Sequence, residues 1–205
     1  THSIFDRQSI RLLYPFIRSR QINFSGQVSL DLQEDTQELL TGGVVVPLFK
    51  DKMTVLRFGG NITYTDKNNA VTDGRFVLAR GLDTLGARTA KEAAASGLQL
   101  SRAGSDASFA KLTGSVSHRR ALTDELSLSV SGRFQTSFGN ALVNSEQFSI
   151  VGGQEISTFD SGSLGGDGGW VVRPELSTKV ITNFGQMPVS LSPYVFIGLG
   201  KASLF

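Results

Sequence analysis

From Ile22 to Leu32 apolar and polar side chains alternate without a break. Ile22, Phe24, Gly26, Val28, Leu30 and Leu32 take the even positions, and Asn23, Ser25, Gln27, Ser29 and Asp31 the odd. The pattern returns from Leu126 to Phe138, where Leu126, Leu128, Val130, Phe134 and Phe138 alternate with Ser127, Ser129, Ser131, Arg133, Gln135 and Ser137. A period of two marks a strand whose faces meet different surroundings. Both runs exceed the roughly 5 or 6 residues usual in globular proteins and fit the roughly 9 to 11 that a tilted membrane strand needs. The richest apolar run, Gly42 to Phe49, is far too short for a membrane helix of roughly 20 residues. A chain without such helices crosses lipid only as a closed barrel, because closure satisfies every backbone amide.

Six further runs read as strands: Ser9–Ile17, Thr54–Thr65, Arg75–Leu82, Ala107–His118, Trp170–Ile181 and Val189–Gly200. With the first two they make eight. Their connections alternate between short (Arg18–Gln21, Asp66–Gly74, Arg119–Glu125, Thr182–Pro188) and long (Gln33–Met53, Asp83–Asp106, Gly139–Gly169). Short turns on one rim and long loops on the other are the organisation of outer-membrane barrels, with the short side periplasmic. Ala90–Ser96 has helix propensity inside its long loop. The predicted fold class is all-β, an antiparallel transmembrane β-barrel. Its apolar even face meets lipid, and its odd face directs Arg57, Asn61, Lys111, Arg133, Arg173, Glu175 and Lys179 into a charged lumen.

Composition narrows the chemistry. Hydrophobic residues make up 40%, charged residues 19%, and the formal net charge is +2. That is too apolar for a disordered chain and too evenly charged for a nucleic-acid binder acting through bulk charge. The 23 Gly and 14 Phe favour strands and turns, and the absence of Cys removes disulfides, thiol catalysis and Cys-ligated zinc. Gly165–Gly169 lacks both the Lys-Ser/Thr of a phosphate loop and the repeated acids of a calcium loop. His2 and His118, the only histidines, are far apart in sequence, so a Ser–His–acid hydrolase is not expected. No catalytic residue, metal site or cofactor is predicted. His118 with Arg119 and Arg120 reads as a solvated turn near lipid head groups. Thr1–Asp6 carries no basic or apolar segment of a signal peptide.

Several stretches resemble the haemolysin secretion/activation family, the two-partner secretion transporters of Gram-negative bacteria. They are Tyr14–Asn23, Arg80–Ala87 (Arg-Gly-Leu-Asp-Thr-Leu-Gly-Ala), Ser101–Gly104, Phe109–Leu112, and above all Glu146–Ile150 through Gly166-Asp167-Gly168-Gly169-Trp170 to Pro174-Glu175-Leu176. The resemblance runs in order along nearly the whole chain. It implies a barrel of about sixteen strands preceded by periplasmic POTRA domains. Residues 1–205 would be a C-terminal portion, with the POTRA domains and final strands absent. In the family the loop matching Gly139–Gly169 folds into the lumen, where an Arg at its tip pairs with an Asp in a Phe-x-Asp motif on a nearby strand. Aligned without gaps, Ser157 stands at the Arg and Gly198 at the Asp, so both halves of that pair are replaced.

The resemblance implies an outer-membrane pore that exports a large partner exoprotein; the alternative is a passive porin or a scaffold barrel that has lost secretion. Loop and transport residues would be Phe148, Gly152, Ile156, Ser157, Phe159, Gly162, Gly166, Asp167, Gly169 and Trp170. The lumen wall would be Arg133, Arg173, Glu175, Phe196 and Gly198. Asp167 is expected to accept backbone hydrogen bonds and Trp170 to anchor at the membrane rim. Pro174, inside a strand, removes a ladder donor and suggests a local distortion. The expected partners are exoprotein cargo, outer-membrane lipid and lipopolysaccharide, with no nucleic acid, around a monomeric barrel in the bacterial outer membrane.

Overall fold

The computed structural model describes residues 2–152, 156, 164–184 and 187–205. Long strands dominate: β1 His2–Arg18, β2 Ile22–Thr41, β3 Val44–Thr65, β4 Val71–Leu82, β5 Ala110–Ala121 and β6 Leu126–Thr136. A 3₁₀ turn at Asn144–Glu146 leads to the short β7 Phe148–Ser149 and β8 Gly165–Gly166, then to β9 Gly168–Thr178. The chain closes with β10 Val180–Phe184, β11 Met187–Leu191, β12 Tyr194–Phe196 and β13 Leu199–Ser203. Strands β1 to β6 and β9 form one antiparallel meander, with β12 and β13 both pairing β9; β7–β8 and β10–β11 are separate pairs.

This sheet is inside-out relative to a soluble protein. On β2 the polar Ser29, Asp31 and Gln33 are buried, whereas Val28 and Leu32 are 38% and 36% exposed. The same parity holds on later strands: Lys111, Gln135 and Arg173 are buried, while Phe58, Phe76, Val116, Phe134 and Trp170 are exposed. A face of large apolar side chains turned outward requires an apolar medium. Glycine and phenylalanine pair on that face. Phe76 lies across Gly60 and Phe134 across Gly114; a Cβ on Gly60 would sit 2.6 Å from the Phe76 ring. Bare glycine backbone is thus shielded by a neighbour's ring.

On the inner face, beneath the long connections, Met53, Val55, Ala79, Ala107, Phe109, Leu142 and Val143 form an apolar cluster. The loop between β4 and β5 carries α1, Ala90–Ser96, as expected. Thr89 and Glu92 form a reciprocal capping box at its start, and Gly97 ends it at φ 69°.

Three expectations change. Gln33–Met53 is not a loop: β2 and β3 stay paired up to a two-residue turn at Gly42 and Gly43, whose φ of 58° and 82° suit a tight hairpin. The alternation fails there because Leu39, Leu40 and Val44 to Val46 put apolar groups on both faces. The strand expected over Trp170–Ile181 ends at Thr178, and Val180–Phe184 pairs instead with Met187–Leu191 in a separate hairpin; Lys179, between the two, is exposed. Val189–Gly200 is three pieces, not one strand. The break at Ile197–Gly198 faces Pro174, whose carbonyl accepts from the Ile197 amide at 3.1 Å. In an antiparallel ladder a residue's N–H and C=O point to the same neighbour, so Pro174 has no donor to return and pairing lapses.

Candidate functional site

The inner wall holds a continuous polar network, assembled by strand parity. Arg57 on β3 is its centre: Nε donates to Asp31 of β2 at 2.6 Å, and its guanidinium grips the Glu146 carboxylate at 2.5 Å. Asp31, fully buried, also accepts from Ser9 (2.6 Å) and Arg7 (2.7 Å) of β1. Lys111 of β5 lies 2.7 Å from the other Glu146 oxygen and donates to the Glu146 main-chain carbonyl at 2.7 Å. Gln135 of β6 donates to that carbonyl (3.1 Å) and to the Asp167 carbonyl (3.0 Å). Arg133 donates to the Ser149 carbonyl at 2.9 Å, with its guanidinium 5.3 Å from the Phe148 ring centre. Three strands, β3, β5 and β6, thus hold the segment from Glu146 to Ser149 against the wall.

The two limbs of the connection between β6 and β9 meet where Phe148 pairs with Gly166 and Ser149 with Gly165. Gly166 is buried because β13 passes over it; a Cβ there would come 2.5 Å from the Ser203 oxygen. Gly169 pairs with Gln135 and Ala202 in the same crowded crossing. Asp167 is fully buried and accepts from the Leu142 amide (2.9 Å), the Phe205 amide (2.7 Å) and the Arg102 guanidinium. Burial alone would raise its pKa, but Arg102 and the two amides outweigh this and hold the carboxyl below its ordinary value. Trp170 turns outward, 47% exposed, opposite Phe134 and Lys201.

Lower on the wall, Arg173 pairs with Glu175 at 2.7 Å and stacks over Phe196, 3.7 Å from its ring centre. Gly198 sits at the strand break beside them. Of the remaining loop candidates, Gly152 lies at a bend and Ile156 bridges to Val151. Ser157, Phe159 and Gly162 fall outside the described residues. Sequence reasoning aimed Arg57, Lys111, Arg133, Arg173 and Glu175 inward, but it missed Glu146 as the counterpart of Arg57 and Lys111, and Arg102 as that of Asp167. Glu146 opens the Glu-Gln-Phe-Ser motif, and its burial at 2% exposure is what marks it.

Near the rim of the long connections two carboxylates, Asp51 and Asp35, face each other across β2 and β3. Asp51, 1% exposed, accepts from the Ser101 amide at 2.8 Å, while its other oxygen has no partner among the described residues. Burial raises its pKa, and burial together with Asp51 raises that of Asp35 opposite.

Two solved structures share this architecture. CdiB from Acinetobacter baumannii superposes with a TM-score of 0.71 over 98% of this chain at 19% identity. CdiB from Escherichia coli does so with a TM-score of 0.66 over 88% at 24% identity. The chain spans 32% of each of those structures. No curated protein sequence gives a significant match. The family description "haemolysin secretion/activation protein ShlB/FhaC/HecB" matches residues 6–204, nearly the whole chain. On that match, the chain belongs to the ShlB/FhaC/HecB family of haemolysin secretion/activation proteins.

Proposed function

We propose that this chain forms part of the wall and the internal gate of an outer-membrane pore that exports a large partner exoprotein as an unfolded chain. The carrying observation is the inverted sheet: apolar side chains outward, a hydrogen-bonded charged network inward. Such a wall suits lipid on one side and a wet conduit on the other. The segment Glu146–Ser149, drawn onto the wall by Arg57, Lys111 and Arg133, supports a connection 139–169 that folds into the conduit.

On this reading the mechanism needs no catalytic group. The connection occupies the conduit at rest, the cargo displaces it, and folding outside biases the direction of travel. Outer-membrane lipid and lipopolysaccharide surround the exposed apolar face, and the barrel works as a monomer. The test is secretion of the partner by full-length protein lacking residues 152–165. Altered export supports a gate in this connection; normal export refutes it.

A further inference from the structure

We propose that Arg57, Lys111, Arg133 and Gln135 form a receiving site for an extended acidic peptide, occupied in this structure by the chain's own Glu146–Ser149. The proposal rests on the conduit reading above and names the chemistry the conduit wall prefers.

Toward the segment these four side chains present only donors. They reach the main-chain carbonyls of Glu146, Ser149 and Asp167 and one carboxylate, that of Glu146. Carbonyls are common to every peptide, so the contacts to them read backbone and tolerate any sequence. Only the carboxylate discriminates. The segment is open rather than helical, with Gln147 at φ −69° and ψ 159°, so its carbonyls are free to accept from the wall. Arg7 and Arg75 line the same cavity, whose other charged members are Arg57, Lys111, Arg133 and Glu146. Among the described residues this lining carries five cations and one carboxylate, and that carboxylate leaves with the segment. Asp31 stays on Arg7 and Arg57, so the vacated wall keeps an excess of cations rather than a balance; a passing acidic stretch reproduces the lost contacts, and a basic one meets repulsion.

Residues 1–205 contain no Cys, so a cysteine introduced here is followed against the unaltered full-length protein as background. Val151, 3% exposed and just beyond the segment, is replaced by cysteine in full-length protein, and its labelling by a small maleimide is timed. Ile150→Cys serves if Val151→Cys does not assemble. Three additions are compared: a peptide of sequence Asn-Ser-Glu-Gln-Phe-Ser-Ile, the same peptide with Lys for Glu, and inorganic phosphate. The acidic peptide should displace the segment and speed labelling by about tenfold over the Lys peptide, and Lys111→Gln should remove most of that difference. Equal effects of both peptides, no effect of either, or an equal effect of phosphate would overturn the site. Normal export without residues 152–165 would instead sink the gate while leaving this discrimination intact.

Discussion

Lys111 Nζ lies 2.7 Å from a carboxylate oxygen of Glu146 and 2.7 Å from the carbonyl of the same residue. Both side chains are almost fully buried, at 8% and 2% exposure. Removing one partner strands the other's charge, so Glu146→Ala should destabilise by about 3 kcal/mol or more. In Lys111→Met with Glu146→Leu no charge of the pair is left stranded, although Arg57 still loses a partner. The double variant should lose less than the sum of the single ones by more than about 1 kcal/mol. Urea unfolding of vesicle-embedded protein measures this, and additive losses would contradict the coupling.

Asp51 and Asp35 predict a pH dependence at the long-connection rim. Both carboxyls have raised pKa values, burial being the largest cause for each. A carboxyl raised in the folded state contributes its stability fully below the ordinary value of 3.8 and loses it as pH rises through the raised one. Hydrogen exchange in the β2–β3 ladder flanking Asp35 and Asp51, corrected for intrinsic rate, should therefore show more protection at mildly acidic pH than at neutral pH. Asp51→Asn should flatten the profile and add on the order of 1 kcal/mol of protection at neutral pH. Exchange that ignores pH in the unaltered protein would rule this out.

Strict alternation made the wall legible. Because Arg57, Lys111, Arg133 and Arg173 fall on odd positions of regular strands, their direction follows from parity alone. Their partners do not. Arg57 and Glu146 are 89 positions apart, and Glu146 sits in a 3₁₀ turn with no strand period to orient it. The hairpin over Leu39–Leu48 was hidden because apolar groups on both faces erase the alternation; Gly42-Gly43 was the remaining signal. The broken strand near Gly198 depends on Pro174 of its neighbour, a cross-strand effect that no run of residues displays in its own sequence.

The glycine–phenylalanine pairing makes a packing prediction. A Cβ on Gly60 would lie 2.6 Å from the Phe76 ring and 3.2 Å from that of Phe24. Gly60→Ala should destabilise by about 1–3 kcal/mol through overpacking. Adding Phe76→Leu should recover part of that loss, although Phe76→Leu alone removes favourable ring cover. Two losses that simply add in urea unfolding would show that Phe76 does not lie over Gly60.

Asp167 fastens the root of the internal connection, and its charge decides how. One oxygen accepts from Arg102 and the Leu142 amide, the other from the Phe205 amide, and Asp167 itself has zero exposure. Burial pushes this carboxyl up, but Arg102 and the amides prevail and lower it. A lowered carboxyl contributes stability that is present above the ordinary value of 3.8 and is lost as pH falls through the folded value beneath it. Protection of the Leu142 amide should thus hold from neutral pH down to about pH 4 and collapse below it, the reverse of the profile around Asp35 and Asp51. Asp167→Asn keeps the shape but leaves Arg102 without its counter-charge and turns one acceptor into a donor facing an amide. It should cost about 3 kcal/mol at neutral pH. Arg102→Gln should cost less, because the two backbone amides still satisfy the carboxylate. If the two substitutions prove equal in cost, the amides contribute nothing and the ion pair alone holds the root.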